Sequence, residues 1–242
     1  MTANPTSRLG TVSTWLGRLS LAAAILGPTL AYFELVKPIV GFAIFGVGGV
    51  LSGVLCLVLG VIALLLGPAG SRGHTGGGML PALIVILAVY VANGAGTSAP
   101  RINDITTDTA NPPAFSAATT LPDNAGRDMS YPGEAFAAQQ RDGYGEIAPL
   151  ALPLPPDQAF ATVLAAAQKM PGWYILRNDS AAHIVEGYET SRLFHFKDDF
   201  VIEVRPDGAG SVVQMRSKSR DGQGDMGANA KRIRAFFATI QP

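Results

Sequence analysis

The sequence predicts an α+β protein in which a bundle of about three N-terminal transmembrane helices precedes a soluble domain. Three observations lead to this fold class: the first 100 residues are nearly free of charge, they contain long apolar runs, and the later residues show helical and strand periodicities in turn. The first 100 residues carry four bases and one acid, whereas residues 101–242 carry 14 bases and 17 acids. The acidic balance of the later region gives no reason to expect a nucleic acid partner.

The transmembrane helices are predicted within residues 1–96, at about 14–36, 39–66 and 76–95. Each prediction rests on an apolar run, because a helix needs about 20 such residues to cross the hydrocarbon layer. The first run resembles a signal peptide, but Tyr32 and Phe33 follow it where small residues would mark a cleavage site, so a retained helix is expected. Ionisable residues are missing from the middle of each run, which argues against an ion or proton pathway.

The second apolar run has small residues at four-residue spacing. Such spacing lets helix backbones approach closely in lipid, where packing drives association. The run therefore predicts close helix packing, either against the other two segments of the same chain or against a partner protein. The candidate packing residues are Gly49, Ser52, Gly53, Cys56 and Gly60.

The orientation is predicted from Lys and Arg near the segment ends. With the N-terminus in the cytoplasm, Arg8, Arg18 and Arg72 fall on the cytoplasmic side, and Lys37 and Arg101 fall outside. Three crossings then place the soluble domain in the periplasm, as part of a multi-pass protein of the cell inner membrane.

The soluble domain is predicted at 97–242, with an irregular, Pro- and Gly-containing N-terminal segment at 97–147. An amphipathic helix is expected from Asp157, and a second helix, which Asp225 can cap, ends the chain. Between them, the patterns predict an antiparallel sheet of four to five strands that the two helices cover. The strand runs are 173–177, 183–190, 200–205 and 211–219, with an Asp207-Gly208 hairpin signal between the last two.

The strongest candidate site is a row of bases on the last strand run. Alternation places Arg216, Lys218 and Arg220 on one face of the strand, and Ser217 and Ser219 on the other. One interpretation is an anion site for a phosphate, a carboxylate or a lipid headgroup. The alternative is a solvated face that neighbouring acids neutralise, since surface ion pairs are energetically weak.

The adjacent acids Asp198 and Asp199 point to opposite faces of their strand, so they are not expected to act together. A buried Asp–Arg pair with Arg216 or Arg220 explains them more simply. One cysteine and three scattered histidines predict no metal site, and the sequence gives no sign of a cofactor. A hydrolase would need a serine, a base and an orienting acid; Ser217 lacks the glycine pattern of a nucleophile elbow.

Several strings along the soluble region resemble the domain of unknown function (DUF) 1499 family. They lie at 102–108, 112–115, 145–150, 190–199, 216–220 and 225–236, and the resemblance covers roughly residues 101–240. The resemblance implies a protein that is often membrane-associated in bacteria, and it implies no particular activity. The matching positions give these candidate ligand-binding residues: Thr190, Arg192, Asp198, Asp199, Arg216, Ser217, Ser219, Arg220, Asp225 and Asn229.

Three hypotheses of function follow. The first is a non-enzymatic extracytoplasmic domain that binds a small anionic ligand, a lipid or an envelope partner. The second is a structural or assembly subunit of a membrane protein complex. The third is a hydrolase. All three have the lipid bilayer as a partner and leave the oligomeric state open.

Overall fold

The computed structural model describes residues 5–68, 70, 72–93 and 99–241. The chain forms two compact units: residues 1–97 with residues 192–195, and residues 98–191 with residues 196–242. The predicted domain boundary at residues 96–97 and the end of the third predicted transmembrane segment, at residues 94–95, lie outside the described residues.

The first unit is helical. A π-helical segment, Ile44–Leu51, joins two of its helices, so that the chain is continuously helical from Pro38 to Leu66. Glu34 adopts a left-handed conformation with φ 55° just after the first helix, which therefore ends before the predicted limit at residue 36. The helices are α1 (Pro5–Tyr32), α2 (Pro38–Ala43), α3 (Ser52–Leu66) and α4 (Arg72–Asn93).

Two of the described helical segments are long and apolar enough to cross a membrane, Arg8–Tyr32 and Pro38–Leu66. The prediction of about three such segments is thereby corrected. The apolar part of α4 is shorter, at His74–Tyr90. The reason lies in its first two turns, which contain Arg72, His74 and three consecutive glycines in place of large apolar side chains.

Within the first unit, small polar side chains point inward and large apolar ones point outward. Ser13 Oγ donates to the Cys56 carbonyl at 2.8 Å, and Ser20 Oγ donates to the Gly49 carbonyl at 2.7 Å. By contrast, Trp15 and Leu65 are 63% and 73% exposed. This arrangement reverses that of a water-soluble helical core and suits an apolar solvent.

The five candidate packing residues are all buried in this unit. A Cβ added to Gly53 would lie 2.8 Å from Ser20 Oγ, and one added to Gly60 would lie 2.7 Å from Ser13 Oγ. Both serines belong to α1, so the small residues of α3 permit close packing within the chain.

The second unit is built on a six-stranded antiparallel sheet of order β1-β6-β5-β4-β3, in which β2 also pairs with β6. The prediction of four to five strands is corrected, because β1 and β2 are three residues long and too short to show an alternating pattern. The strands are β1 (Asp104–Thr106), β2 (Leu150–Leu152), β3 (Trp173–Asp179), β4 (Ile184–Thr190), β5 (Lys197–Asp207) and β6 (Gly210–Ser219).

The longest pairing joins β5 to β6 through the predicted hairpin. Asp207 pairs with Gly210, which leaves a two-residue turn whose first residue, Gly208, has φ 57°. A positive φ at this position is what a tight hairpin turn requires and what glycine tolerates. The turn fixes the register along the whole hairpin, down to the pair of Asp198 and Ser219.

Two helices, α6 (Pro156–Ala167) and α7 (Ala228–Ile240), pack on one face of the sheet, which we call the helix face. Phe200, Ile202 and Met215 of the sheet share a fully buried core with Val163 of α6 and Phe236 of α7. The third helix, α5 (Glu134–Gly143), lies in the segment predicted to be irregular.

The opposite face of the sheet is covered by residues 107–131, which we call the strap. The strap has short 3₁₀ turns at Ala118–Thr120 and Pro122–Asn124. Its Phe115, Ala118 and Met129 form a second apolar cluster with Val201 of β5. The irregular segment is therefore a second covering layer of the domain.

Candidate functional site

The charged residues of β5 and β6 divide between the two faces as the alternation predicts. Asp199 and Lys218 are paired across the strands and lie on the strap face, whereas Asp198 and Ser219 are paired on the helix face. Asp198 and Asp199 therefore make separate contacts, on opposite sides of the sheet.

Asp104 holds the first two bases of the row. Arg216 donates from Nε and Nη2 to its two oxygens at 2.8 and 2.7 Å, and Lys218 Nζ donates at 2.9 Å. The side chains of Asp104 and Arg216 are 0% and 2% exposed. One fully buried carboxylate thus neutralises part of the charge that the sequence suggested for an external anion.

The strap closes over Arg216. The guanidinium donates to the carbonyls of Pro113 and Met129 at 3.3 and 3.0 Å, and it lies 4.8 Å from the centre of the Phe115 ring. It also lies 5.5 Å from the Tyr131 ring. Burial, followed by the charge of Asp104, raises the pKa of Tyr131 to about 12. The Tyr131 hydroxyl is buried without a hydrogen-bond partner.

Asp199 holds the third base of the row. Arg220 donates to it from Nε at 3.1 Å and from Nη2 at 2.6 Å, and Asn124 of the strap donates to it at 3.0 Å. Arg220 also reaches Asp123 at 2.9 Å. The buried Asp–Arg pair expected from the sequence is therefore present, between β5 and the end of β6.

The helix face carries a separate polar cluster around Arg232 of α7. Its Nη2 donates to Asp198 at 2.6 Å and its Nη1 donates to Ser217 Oγ at 2.8 Å; Glu189 accepts from its Nε. Ser217 Oγ in turn donates to Asn229 at 2.7 Å. Burial lowers the pKa of Arg232, but the charges of Asp198 and Glu189 outweigh this and raise it overall.

Asn229 and Asp225 fix the start of α7. Asp225 accepts from the backbone N–H groups of Gly227 and Asn229 at 2.9 and 2.8 Å, as the predicted cap. Burial raises the pKa of Asp225, while these backbone hydrogen bonds act in the opposite direction. The Asn229 amide donates to Ser219 Oγ at 2.9 Å, which joins the helix start to the end of β6.

Glu186 of β4 anchors the strap at a second point. It is 0% exposed and accepts from the backbone N–H groups of Ser116, Ala117 and Ala118 at 2.8 to 2.9 Å. The Ser116 hydroxyl also donates to it at 2.9 Å. A buried carboxylate at the start of a 3₁₀ turn satisfies the unpaired N–H groups there.

Eight of the ten candidate residues thus lie in two polar clusters on opposite faces of the sheet, which together form the polar network of the domain. Asp199, Arg216 and Arg220 lie on the strap face, and Asp198, Ser217, Ser219, Asp225 and Asn229 lie on the helix face. The other two are elsewhere: Thr190 ends β4, where its N–H donates to the Gly172 carbonyl, and Arg192 is exposed in the loop that groups with the first unit. The sequence analysis missed Asp104, Glu186 and Arg232. Of these three, only Arg232 could have been predicted from the sequence, because it lies at helical spacing from Asn229 and Phe236, which are buried.

Two open grooves in the described part of the second unit lie apart from this network. One, of about 370 Å³, lies between residues 146–150 and α7, and the other, of about 480 Å³, is lined by Thr162, Met170 and Thr239 among others. In the described part of the chain, no group of three or more His, Cys, Asp or Glu side chains is arranged to hold a metal ion.

The fold and the network define a class: an α+β domain with a closed polar interior, on a chain that also carries apolar helices. The model of the family described as "Protein of unknown function (DUF1499)" matches residues 104–240. The chain belongs to this family, and the resemblance found in the sequence is confirmed. No curated protein shows significant similarity to the chain.

Proposed function

We propose that this protein is a multi-pass membrane protein whose second unit is a non-catalytic structural or assembly module outside the cytoplasm. The outward-facing apolar side chains of the first unit support the proposal that it lies in a membrane. The polar network, whose buried bases are already paired with acids, supports the non-catalytic part.

The helices α1 to α4 form the membrane anchor. Most of their exposed large side chains are apolar, and the polar Ser13, Ser20 and Thr75 are buried. Only His74–Tyr90 of α4 is apolar, but its 22 helical residues reach about 33 Å at 1.5 Å per residue, so we propose α4 as a third span beside the two found by length and composition. With three proposed spans, the Lys and Arg bias supports a location of the second unit in the periplasm, as part of an inner-membrane protein.

The second unit acts through its surface. A small anion in the basic row would compete with Asp104 and Asp199, which already hold Arg216, Lys218 and Arg220. Replacing such buried partners is costly, since removing one leaves a buried charge unpaired. The structure therefore favours the second hypothesis of the sequence analysis over a small anionic ligand in this row.

The same network disfavours serine hydrolysis. A nucleophilic Ser217 would need a base within hydrogen-bond reach. Its hydroxyl instead contacts Asn229 and Arg232, and its residue is 0% exposed. Arginine remains protonated at any ordinary pH and cannot serve as that base.

Two measurements test this proposal. Alkaline carbonate extraction of membranes should leave the full chain in the pellet; recovery in the supernatant would contradict an integral anchor. A topology reporter fused after Arg101 should be active only outside the cytoplasm, and a matched fusion after Arg72 only inside it. Cytoplasmic activity of the first fusion would overturn the proposed location.

A further inference from the structure

Two stacked tyrosines lie at one end of the strap face. Tyr174 of β3 and Tyr188 of β4 are register partners, and their rings are 5.0 Å apart at an angle of 17°. The Arg220 guanidinium lies 4.8 Å from the centre of the Tyr188 ring. Tyr174 is 55% exposed, which sets it apart from the buried aromatic side chains of the sheet.

The charges beside these rings do not balance. In the ion pairs of the described residues, the bases Arg127, Lys197 and Arg220 share two acids, Asp123 and Asp199. Lys197, at 31% exposure, is the most accessible of the three bases. The hydrogen bond from Lys197, with the charge of Arg220, lowers the pKa of Asp123. In formal charges, the three bases and two acids of these ion pairs leave a surplus of one positive charge.

From this juxtaposition we propose that Tyr174, Tyr188 and Lys197 form a surface site for a phospholipid headgroup, while Arg220 stays paired with Asp199 beside the Tyr188 ring. A phosphodiester carries one negative charge and complements the surplus beside the rings. Tyrosine presents an apolar ring and a polar hydroxyl, a combination enriched at the level of lipid headgroups. The proposal rests on the membrane location proposed above and adds the surface that meets the lipid.

The test uses the full chain in nanodiscs and hydroxyl-radical footprinting of Tyr174. In discs that contain anionic phosphatidylglycerol, Tyr174 should be oxidised several-fold more slowly than in discs of phosphatidylcholine alone. Lys197→Gln should weaken this protection about fivefold, as expected for one base near an anionic surface. Lys231→Gln removes an exposed base from the helix side of the domain and should leave the protection unchanged.

The outcomes separate the two proposals. Equal oxidation of Tyr174 in both lipids overturns the headgroup site, even if carbonate extraction confirms the anchor. Protection by inorganic phosphate in detergent, without phosphatidylglycerol, also overturns it, because it would identify a site for free phosphate. Equal loss of protection in the Lys197 and Lys231 variants would show a general charge effect and would likewise contradict the site.

Discussion

Arg216 donates hydrogen bonds from Nε and Nη2 to the two oxygens of Asp104, across the pairing of β1 with β6 and 112 residues apart in sequence. Lys218 shares the same carboxylate. Since all three side chains are at most 10% exposed, the acid is the partner that allows two bases to be buried beneath the strap.

Replacing Asp104 by Asn should therefore destabilise the second unit by about 3–5 kcal/mol, because two buried bases lose their counter-charge. Hydrogen exchange of amides in β5 and β6 of the full chain measures this free energy. Asp142→Asn, at an exposed position of α5, is the matched control and should change it by less than about 0.5 kcal/mol. Equal effects of the two variants would contradict a structural role for Asp104.

The strap should loosen before the sheet does when Glu186 is replaced by Gln. An amide offers one acceptor oxygen where the carboxylate accepts four hydrogen bonds, and bonds to a charged group contribute about 1.5–3 kcal/mol each. We expect faster hydrogen exchange at residues 114–120 with little change in α7. The exposed Glu146→Gln serves as control, and uniform exchange throughout the unit would argue against a local anchor.

The raised pKa of Tyr131 predicts that the free energy of unfolding depends on pH in the alkaline range. Its pKa in the folded chain, about 12, is above the ordinary value of 10.0, so the folded protein keeps a proton that the unfolded chain releases. Stability should therefore fall as pH rises between these two values. Tyr131→Phe removes the proton and should abolish this part of the slope in urea unfolding. An unchanged slope would show that other groups cause it.

The glycines of α3 should differ from other small residues of the first unit. Gly53→Leu would collide with Ser20 of α1 and should cost about 1–3 kcal/mol or more. Gly46→Leu is the control, because a Cβ there has nothing within 4 Å. Thermal stability in detergent, followed by size-exclusion chromatography, should fall only for the Gly53 variant. A similar fall for both would contradict intrachain packing at Gly53.

The sequence predicted the elements in which apolar and polar residues recur at regular strand or helix spacing. The alternation placed Arg216 and Ser217 of β6, and Asp198 and Asp199 of β5, on opposite faces of their strands, which the register confirms. The Asp207-Gly208 hairpin signal was also correct. These features depend on neighbours in sequence, and local patterns carry that information.

The environment of the basic row could not be predicted in the same way. Alternating charges on an antiparallel sheet usually mark a solvated face, so Arg216 and Lys218 suggested an open site. They are buried because the strap, which has no regular period, folds over them. Asp104 and Glu186 contact partners 112 and about 70 residues away, and no local pattern encodes such distances.

The pairing of β1 with β6 also sets an order of events during biosynthesis. The ribosome makes Asp104 and the strap first, but their partners on β4 and β6 emerge only when translation has passed Ser219. Strand β1 and the strap can therefore complete their folding only after β6 has been synthesised. A chain interrupted in the β5–β6 turn would leave Asp104 and the strap without their partners on β6, and quality-control proteases should recognise such a fragment by its less protected residues 107–131.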